Sequence, residues 1–411
     1  MKLIDELLKN PIKQELAFPE EEYHRRLAEV RSNMEKEEID VLLVSNTSNI
    51  GYLTGYDTTM PSGYTVLIVP RSGELILHCS ELEAPCMLLN GWTRNIQVFY
   101  WYEAQDTGSD LARILLENGL DGKTIGLEMG YAETFASGAF DTKSYLTLKG
   151  KLSNATFTDA TTMVMEVRLI KTDKELTYMK QAGEYSWLGL QASLQAIREG
   201  VSENEVVAKA YEAIIGAGSE LMSIDPMMMS GYRTGYMPHI AYRRKKLEEG
   251  DSVYFEFTGT HNRYNAPSMR SAVVGEPSND VQKLADASIE TVNLLLENIK
   301  PGRTGHEVAQ FAKKGLKSVP EAFFHGAFGY SIGMSFQPTW TENPMYIADG
   351  NDRELKQGMT FHLPICIWVP GEYGIGFSES IVVTEKGCEC LTPNKNLSLT
   401  IAPALAGGGR A

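Results

Sequence analysis

Apolar residues recur at helical spacing among charged ones over residues 20–37, which predicts an amphipathic helix, and the apolar run 39–44 that follows reads as a buried strand. Residues 64–69 and 75–79 read as two more strands around the turn Pro70-Arg71-Ser72-Gly73. Residues 111–118 form a predicted helix closed by Gly119, since glycine accepts the left-handed conformation that ends helices, and 124–128 is another strand. This alternation to about Asp159 implies a mixed α/β domain. A long helix is then expected over 173–199 and a second over 202–217. The second opens on Ser202-Glu203-Asn204-Glu205, in which the Ser and Glu side chains cap each other's free backbone N–H groups. Paired strands and further helices fill the remainder, up to the Gly- and Ala-rich end, which predicts a flexible tail over 399–411. No repeat of solenoid period and no low-complexity tract interrupts the pattern.

At 411 residues the chain has room for two or three domains with ample core. A formal net charge of −15 argues against a nucleic-acid partner, whose phosphates it would repel. The N-terminus is charged, without an apolar leader, and no run approaches the length of a membrane helix, so a cytoplasmic location and no membrane partner are expected. The five cysteines are an odd number, and the one close pair, Cys388-Glu389-Cys390, lacks the spacing of a zinc knuckle; reduced thiols are expected.

The chemistry concentrates in Val253-Tyr254-Phe255-Glu256-Phe257-Thr258-Gly259 and in Met269-Arg270-Ser271-Ala272-Val273-Val274-Gly275 downstream. Together they resemble the metal-binding hairpin of the creatinase/methionine-aminopeptidase superfamily, the pita-bread fold. Asn46-Thr47-Ser48-Asn49-Ile50-Gly51-Tyr52-Leu53-Thr54-Gly55-Tyr56 is similar to the N-terminal-domain signature of prolidases and creatinases, and residues 165–175 to the connector that follows it. The resemblance implies an α+β chain: a creatinase-like α/β domain over 1–165 and a pita-bread catalytic domain over 166–398. It also locates five metal-ligand positions, which here hold Glu256, Pro267, Tyr330, Leu363 and Glu379, while Gln337 stands in place of a second family histidine. Proline and leucine side chains offer no donor atom, and two glutamates cannot hold a two-metal cage. The expectation is therefore a protein without metal or other cofactor.

Within the superfamily, the chain resembles most the metal-free ectoine-hydrolase branch, through the glutamate in the first ligand slot and through Ser378-Glu379-Ser380. That resemblance implies metal-independent opening of the cyclic amidine ring of a compatible solute, giving N-acetyl-2,4-diaminobutyrate from ectoine. Opening an amidine needs a nucleophile or base at the electrophilic carbon and a proton for the departing nitrogen. Glu256 is the candidate nucleophile or base. His239, in the place where creatinase keeps its acid/base histidine, is the candidate proton shuttle. Glu379 would either raise the pKa of Glu256 by repulsion or help hold the cation. Arg270 and Arg233 are candidates for the ligand's carboxylate, and Tyr330 faces the ligand in the slot of the lost histidine. Trp101, within Phe99-Tyr100-Trp101-Tyr102, is a candidate for an aromatic cation box, and Tyr52 begins a loop through Met60 that reaches the site of a partner chain in a homodimer. Each has a bland counterpart. Glu256 could be a surface carboxylate, His239 a loop histidine, Glu379 a structural acceptor, and the aromatic run core or interface packing. His362 reads as structural, because strand alternation turns it away from the face of Leu363. A creatinase-type amidinohydrolase, a non-catalytic binding module derived from a peptidase and a metal-dependent prolidase remain the alternatives.

Overall fold

The computed structural model describes residues 3–9, 11–103, 106–130, 140–393 and 397–405. The chain divides into two compact units, Met1–Arg168 and Leu169–Ala411.

The first unit is built on strands β1 (Val41–Val44), β2 (Thr65–Pro70), β3 (Ile76–Ser80), β4 (Ile96–Phe99), β5 (Thr124–Leu127) and β6 (Thr156–Asp159). They lie in the order β4-β3-β2-β1-β5-β6. The pairs on either side of β2 are antiparallel and the others parallel. All four residues of β1 are buried, as expected of a central strand covered on both faces, which is why it reads as a continuous apolar run. The helix Thr47–Thr54 starts on Asn46, whose side chain accepts from the N–H groups of Ser48 and Asn49, and stops at Gly55, with φ at 84°. The segment 52–60, expected as a loop, therefore begins inside a fully buried helix.

The second unit begins with two consecutive helices, Asp173–Ala196 and Glu203–Gly216, both opened by reciprocal caps: Thr172 with Glu175 and Ser202 with Glu205. Its strands are β7 (Met227–Ser230), β8 (Ser252–Phe257), β9 (Thr260–His261), β10 (Tyr264–Asn265), β11 (Ser268–Val274), β12 (Ala327–Ile332), β13 (Thr341–Ala348), β14 (Thr360–His362), β15 (Ile365–Val369), β16 (Tyr373–Phe377), β17 (Ser380–Val383), β18 (Cys388–Cys390) and β19 (Thr400–Ala402). One sheet runs β19-β11-β8-β7 and the other β13-β12-β14-β17-β18, with β15-β16 and β9-β10 as separate hairpins.

Alternation along β8 sorts its side chains. Val253, Phe255 and Phe257 enter a core with Leu190, Val206, Ala210 and Ile214 of the two opening helices. Tyr254 and Glu256 consequently share the other face. A second core gathers Leu284, Val292 and Leu295 of the helix Asn279–Asn298 with Phe361, Leu363, Ile365 and Phe377.

The expected tail is corrected at its start. Thr400–Ala402 extends the first sheet as β19, pairing in parallel with Ala272, Val273 and Val274 of β11. The open edge of β11 offers unpaired backbone groups, and the β-branched Thr400 and Ile401 suit a strand that fills them. The last residues of that tail, 406–411, lie outside the described residues.

Candidate active site

Glu256 sits on an inner strand of its sheet, opposite Met227 of β7 and Met269 of β11. It is 3% exposed. A half-exposed strand carboxylate is therefore not its situation. Tyr254 O–H donates to its Oε2 at 2.5 Å. Burial pushes the Glu256 carboxyl up to about 7, against the lowering effect of that bond. His362 Nδ1 lies 3.7 Å from Oε1, too far for a hydrogen bond. Burial, aided by the charge of Arg270, lowers the imidazole to about 3, so His362 is neutral and the two groups form no ion pair.

His362 anchors a chain of neutral groups. Its Nδ1 is hydrogen-bonded to Tyr330 Oη at 2.9 Å, and its Nε2 to Ser378 Oγ at 2.7 Å. Trp340 Nε1 donates to the Tyr330 oxygen at 2.8 Å. Assigning the Tyr330 proton to Nδ1 leaves Nε2–H to donate to Ser378. The expectation that His362 turns away from the site is thus corrected. Alternation does oppose it to Leu363, but Leu363 points into the apolar core and His362 faces Glu256. Its cross-strand pairing with Tyr330, the residue in the lost histidine slot, is the signal that the sequence reading missed.

Glu379 and Arg270 are committed to one another. Arg270 Nη2 donates to Glu379 Oε1 at 2.6 Å, and Nη1 donates to the carbonyls of Ser378 at 2.6 Å and Met269 at 2.8 Å. Thr392 Oγ1 donates to Glu379 Oε2 at 2.5 Å. The expected roles, Glu379 acting on substrate and Arg270 forking a ligand carboxylate, are corrected to a buried ion pair that ties β11 to the segment leading into β17. Arg233 is likewise engaged, pairing with the buried Glu203 and donating to the Ala241 carbonyl at 2.5 Å. It is no free fork for a ligand.

His239 lies in the exposed segment after the short helix Gly231–Tyr236. Surrounding chain still lowers its pKa, and its charge in turn helps burial to lower that of His325, so the two imidazoles are electrostatic neighbours. In the first unit, Tyr52 is 1% exposed, its ring covered by the guanidinium of Arg26 at 4.2 Å. That packing corrects its expected role as a ligand contact. Trp101 is 64% exposed and meets Tyr102 edge-on, an arrangement that encloses no cation.

The donor set does not fit the metal cage of the superfamily. Among the described residues no group of three or more His, Cys, Asp and Glu side chains converges as metal ligands would. Leu363 is core, the Pro267 carbonyl accepts from Ser380 Oγ at 2.6 Å, and the Glu379 charge is already met by Arg270. Gln337 donates to the Met222 carbonyl at 3.2 Å.

Comparison with known proteins agrees in both halves. The model of metallopeptidase family M24 matches residues 177–385, and that of the creatinase/prolidase N-terminal domain matches 26–170. An ectoine hydrolase of Halomonas elongata is 29% identical over 392 residues, covering 92% of this chain and 96% of that protein. An uncharacterized hydrolase/peptidase of Sinorhizobium fredii is 30% identical over 398 residues, covering 93% and 97%. The fold matches that of the prolidase from Thermococcus sibiricus with a TM-score of 0.80 at 24% identity, covering 93% of this chain and 99% of that one. With a pita-bread half and a creatinase-type first domain both matched, the chain belongs to the M24 family of hydrolases.

Proposed function

We propose that the protein hydrolyses the ring of ectoine or a closely related cyclic amidine, with no metal in the reaction. The observation that carries this reading is the state of Glu256: a lone buried carboxylate, held by one tyrosine, in a site whose other former ligand is neutralised by Arg270. The full-length similarity to the Halomonas elongata ectoine hydrolase supports the same choice of substrate.

An amidinium cation suits such a carboxylate. Entering beside Glu256, it supplies the opposite charge that burial withholds, and so draws the carboxyl from its raised pKa of about 7 into the ionised form. Ionised Glu256 then adds to the amidine carbon between the two ring nitrogens, or takes a proton from the water that does so. The ring C–N bond breaks as the departing nitrogen gains a proton, the role proposed for His239. Water supplies the oxygen that becomes the amide carbonyl of the product, in the covalent route by displacing Glu256 from that carbon, so one water is consumed per ring opened and the carboxyl is restored. The scissile carbon of a peptide carries no such positive charge, and the prolidase-type reaction relies on the ligands that Pro267 and Leu363 replace.

The test is incubation of the purified protein with ectoine, creatine and an Xaa-Pro dipeptide in separate reactions, with and without a chelator, read by mass spectrometry. Ectoine should gain the mass of one water at a rate that the chelator leaves unchanged. Turnover of the dipeptide alone, or turnover that a chelator stops and manganese restores, would sink the proposal.

A further inference from the structure

We propose that Tyr254 is a positioning residue for Glu256: its hydroxyl holds Oε2, stabilises the carboxylate form and leaves Oε1 as the oxygen presented to substrate. This rests on the reading of Glu256 as the reacting carboxylate.

The two residues stand on β8 two positions apart, on the same face. Glu256 Oε2 receives the Tyr254 proton at 2.5 Å. Oε1 has no donor within hydrogen-bonding distance among the described residues, its neighbour at 3.7 Å being the neutral His362. The carboxylate is therefore asymmetric before any ligand arrives. The donor is also rigid. Tyr254 is fully buried, and its ring packs against Gly376 of β16, where an added Cβ would come 2.7 Å from the ring. Cys366 Sγ, 3.6 Å from the hydroxyl, is its other polar neighbour.

The groups around Glu256 leave Tyr254 alone in this role. Cys366 comes from β15, Tyr330 from β12 and His362 from β14. Burial and the nearby Glu256 keep Cys366 and Tyr330 protonated, and His362 stays uncharged. Arg270 of β11 spends its charge on Glu379. The facing positions on the neighbouring strands, Met227 and Met269, carry no charge. Burial and the adjacent Cys366 and Glu256 hold the Tyr254 hydroxyl well above its ordinary pKa, so it donates throughout the working pH range.

The experiment titrates Glu256 in substrate-free protein through the infrared C=O stretch of its protonated carboxyl, taken as a difference against the matching Glu256→Gln protein. In Tyr254→Phe the midpoint should rise by about one to two pH units, the size of a lost hydrogen bond to a charged group. Incorporation of 3-fluorotyrosine at position 254, a stronger donor of nearly the same shape, should lower it. With ectoine as substrate, the acid limb of kcat/KM should move in the same two directions, and the Phe variant should regain rate as pH rises. A midpoint unmoved or lowered in Tyr254→Phe, or unmoved by fluorination, overturns the proposal. The infrared titration needs no turnover, so a wild-type protein inert toward ectoine would count against the proposed reaction alone.

Discussion

Glu256 shows how a single residue couples stability to chemistry. Its folded-state pKa of about 7 lies above the ordinary 4.5, so the fold favours the protonated form. That contribution is fully present below pH 4.5 and is lost as pH rises through 7, a change of about 3 kcal/mol for a shift of this size. Glu256→Gln keeps the shape and never ionises. Its turnover should fall by orders of magnitude, while its stability relative to wild type should improve by about 2–3 kcal/mol between pH 5 and pH 8. Urea unfolding at the two pH values measures this directly, and a pH-independent difference would show that the carboxyl is not protonated by burial. The position of Glu256 was legible from the family register of the hairpin. The placement of His362 beside Glu256 was not, because alternation along a strand says which residues oppose each other and does not say which face meets the site.

At the scale of elements, the Arg270–Glu379 pair ties β11 to the segment leading into β17. In a metal-binding relative, carboxylates from separate strands converge on the ion. Here the guanidinium of β11 reaches Glu379 and the Ser378 carbonyl, 109 and 108 residues away in sequence. Both side chains are almost wholly buried, so removing one leaves the other charged and unpaired. Arg270→Met or Glu379→Leu alone should cost about 3–5 kcal/mol, and the double variant much less than the sum. A denaturant-based double-mutant cycle decides it, and additive losses would mean the pair does not act as a unit. Local elements were the readable part of the sequence: the capping box of Ser202 and Glu205 comes from residues three apart. The pairing of Arg270 with Glu379 was not readable, since no local pattern records a contact made across more than a hundred residues. The three-residue β19 was missed because so short a strand exists only through the sheet edge it completes.

For the whole molecule, the resemblance to one superfamily was visible over nearly the whole chain, and the matched family models cover residues 26–170 and 177–385. No helix among the described residues is long and apolar enough to cross a membrane. Assembly is the property least accessible to one chain, because an isologous interface is encoded as surface. We propose the homodimer that the creatinase resemblance implies. One surface feature invites the test: Trp101 and Tyr102 each stand 64% exposed on the first unit, where large aromatic side chains cost solvation energy unless something covers them. Sedimentation velocity should give twice the 45.6 kDa chain mass. If the aromatic pair belongs to the interface, Trp101→Ala should weaken association at least tenfold, a loss of about 1.4 kcal/mol or more, and ectoine turnover per chain should fall with dilution in step with the dimer. A monomer that keeps full activity at every concentration would end the dimer proposal and leave Trp101 and Tyr102 to another partner.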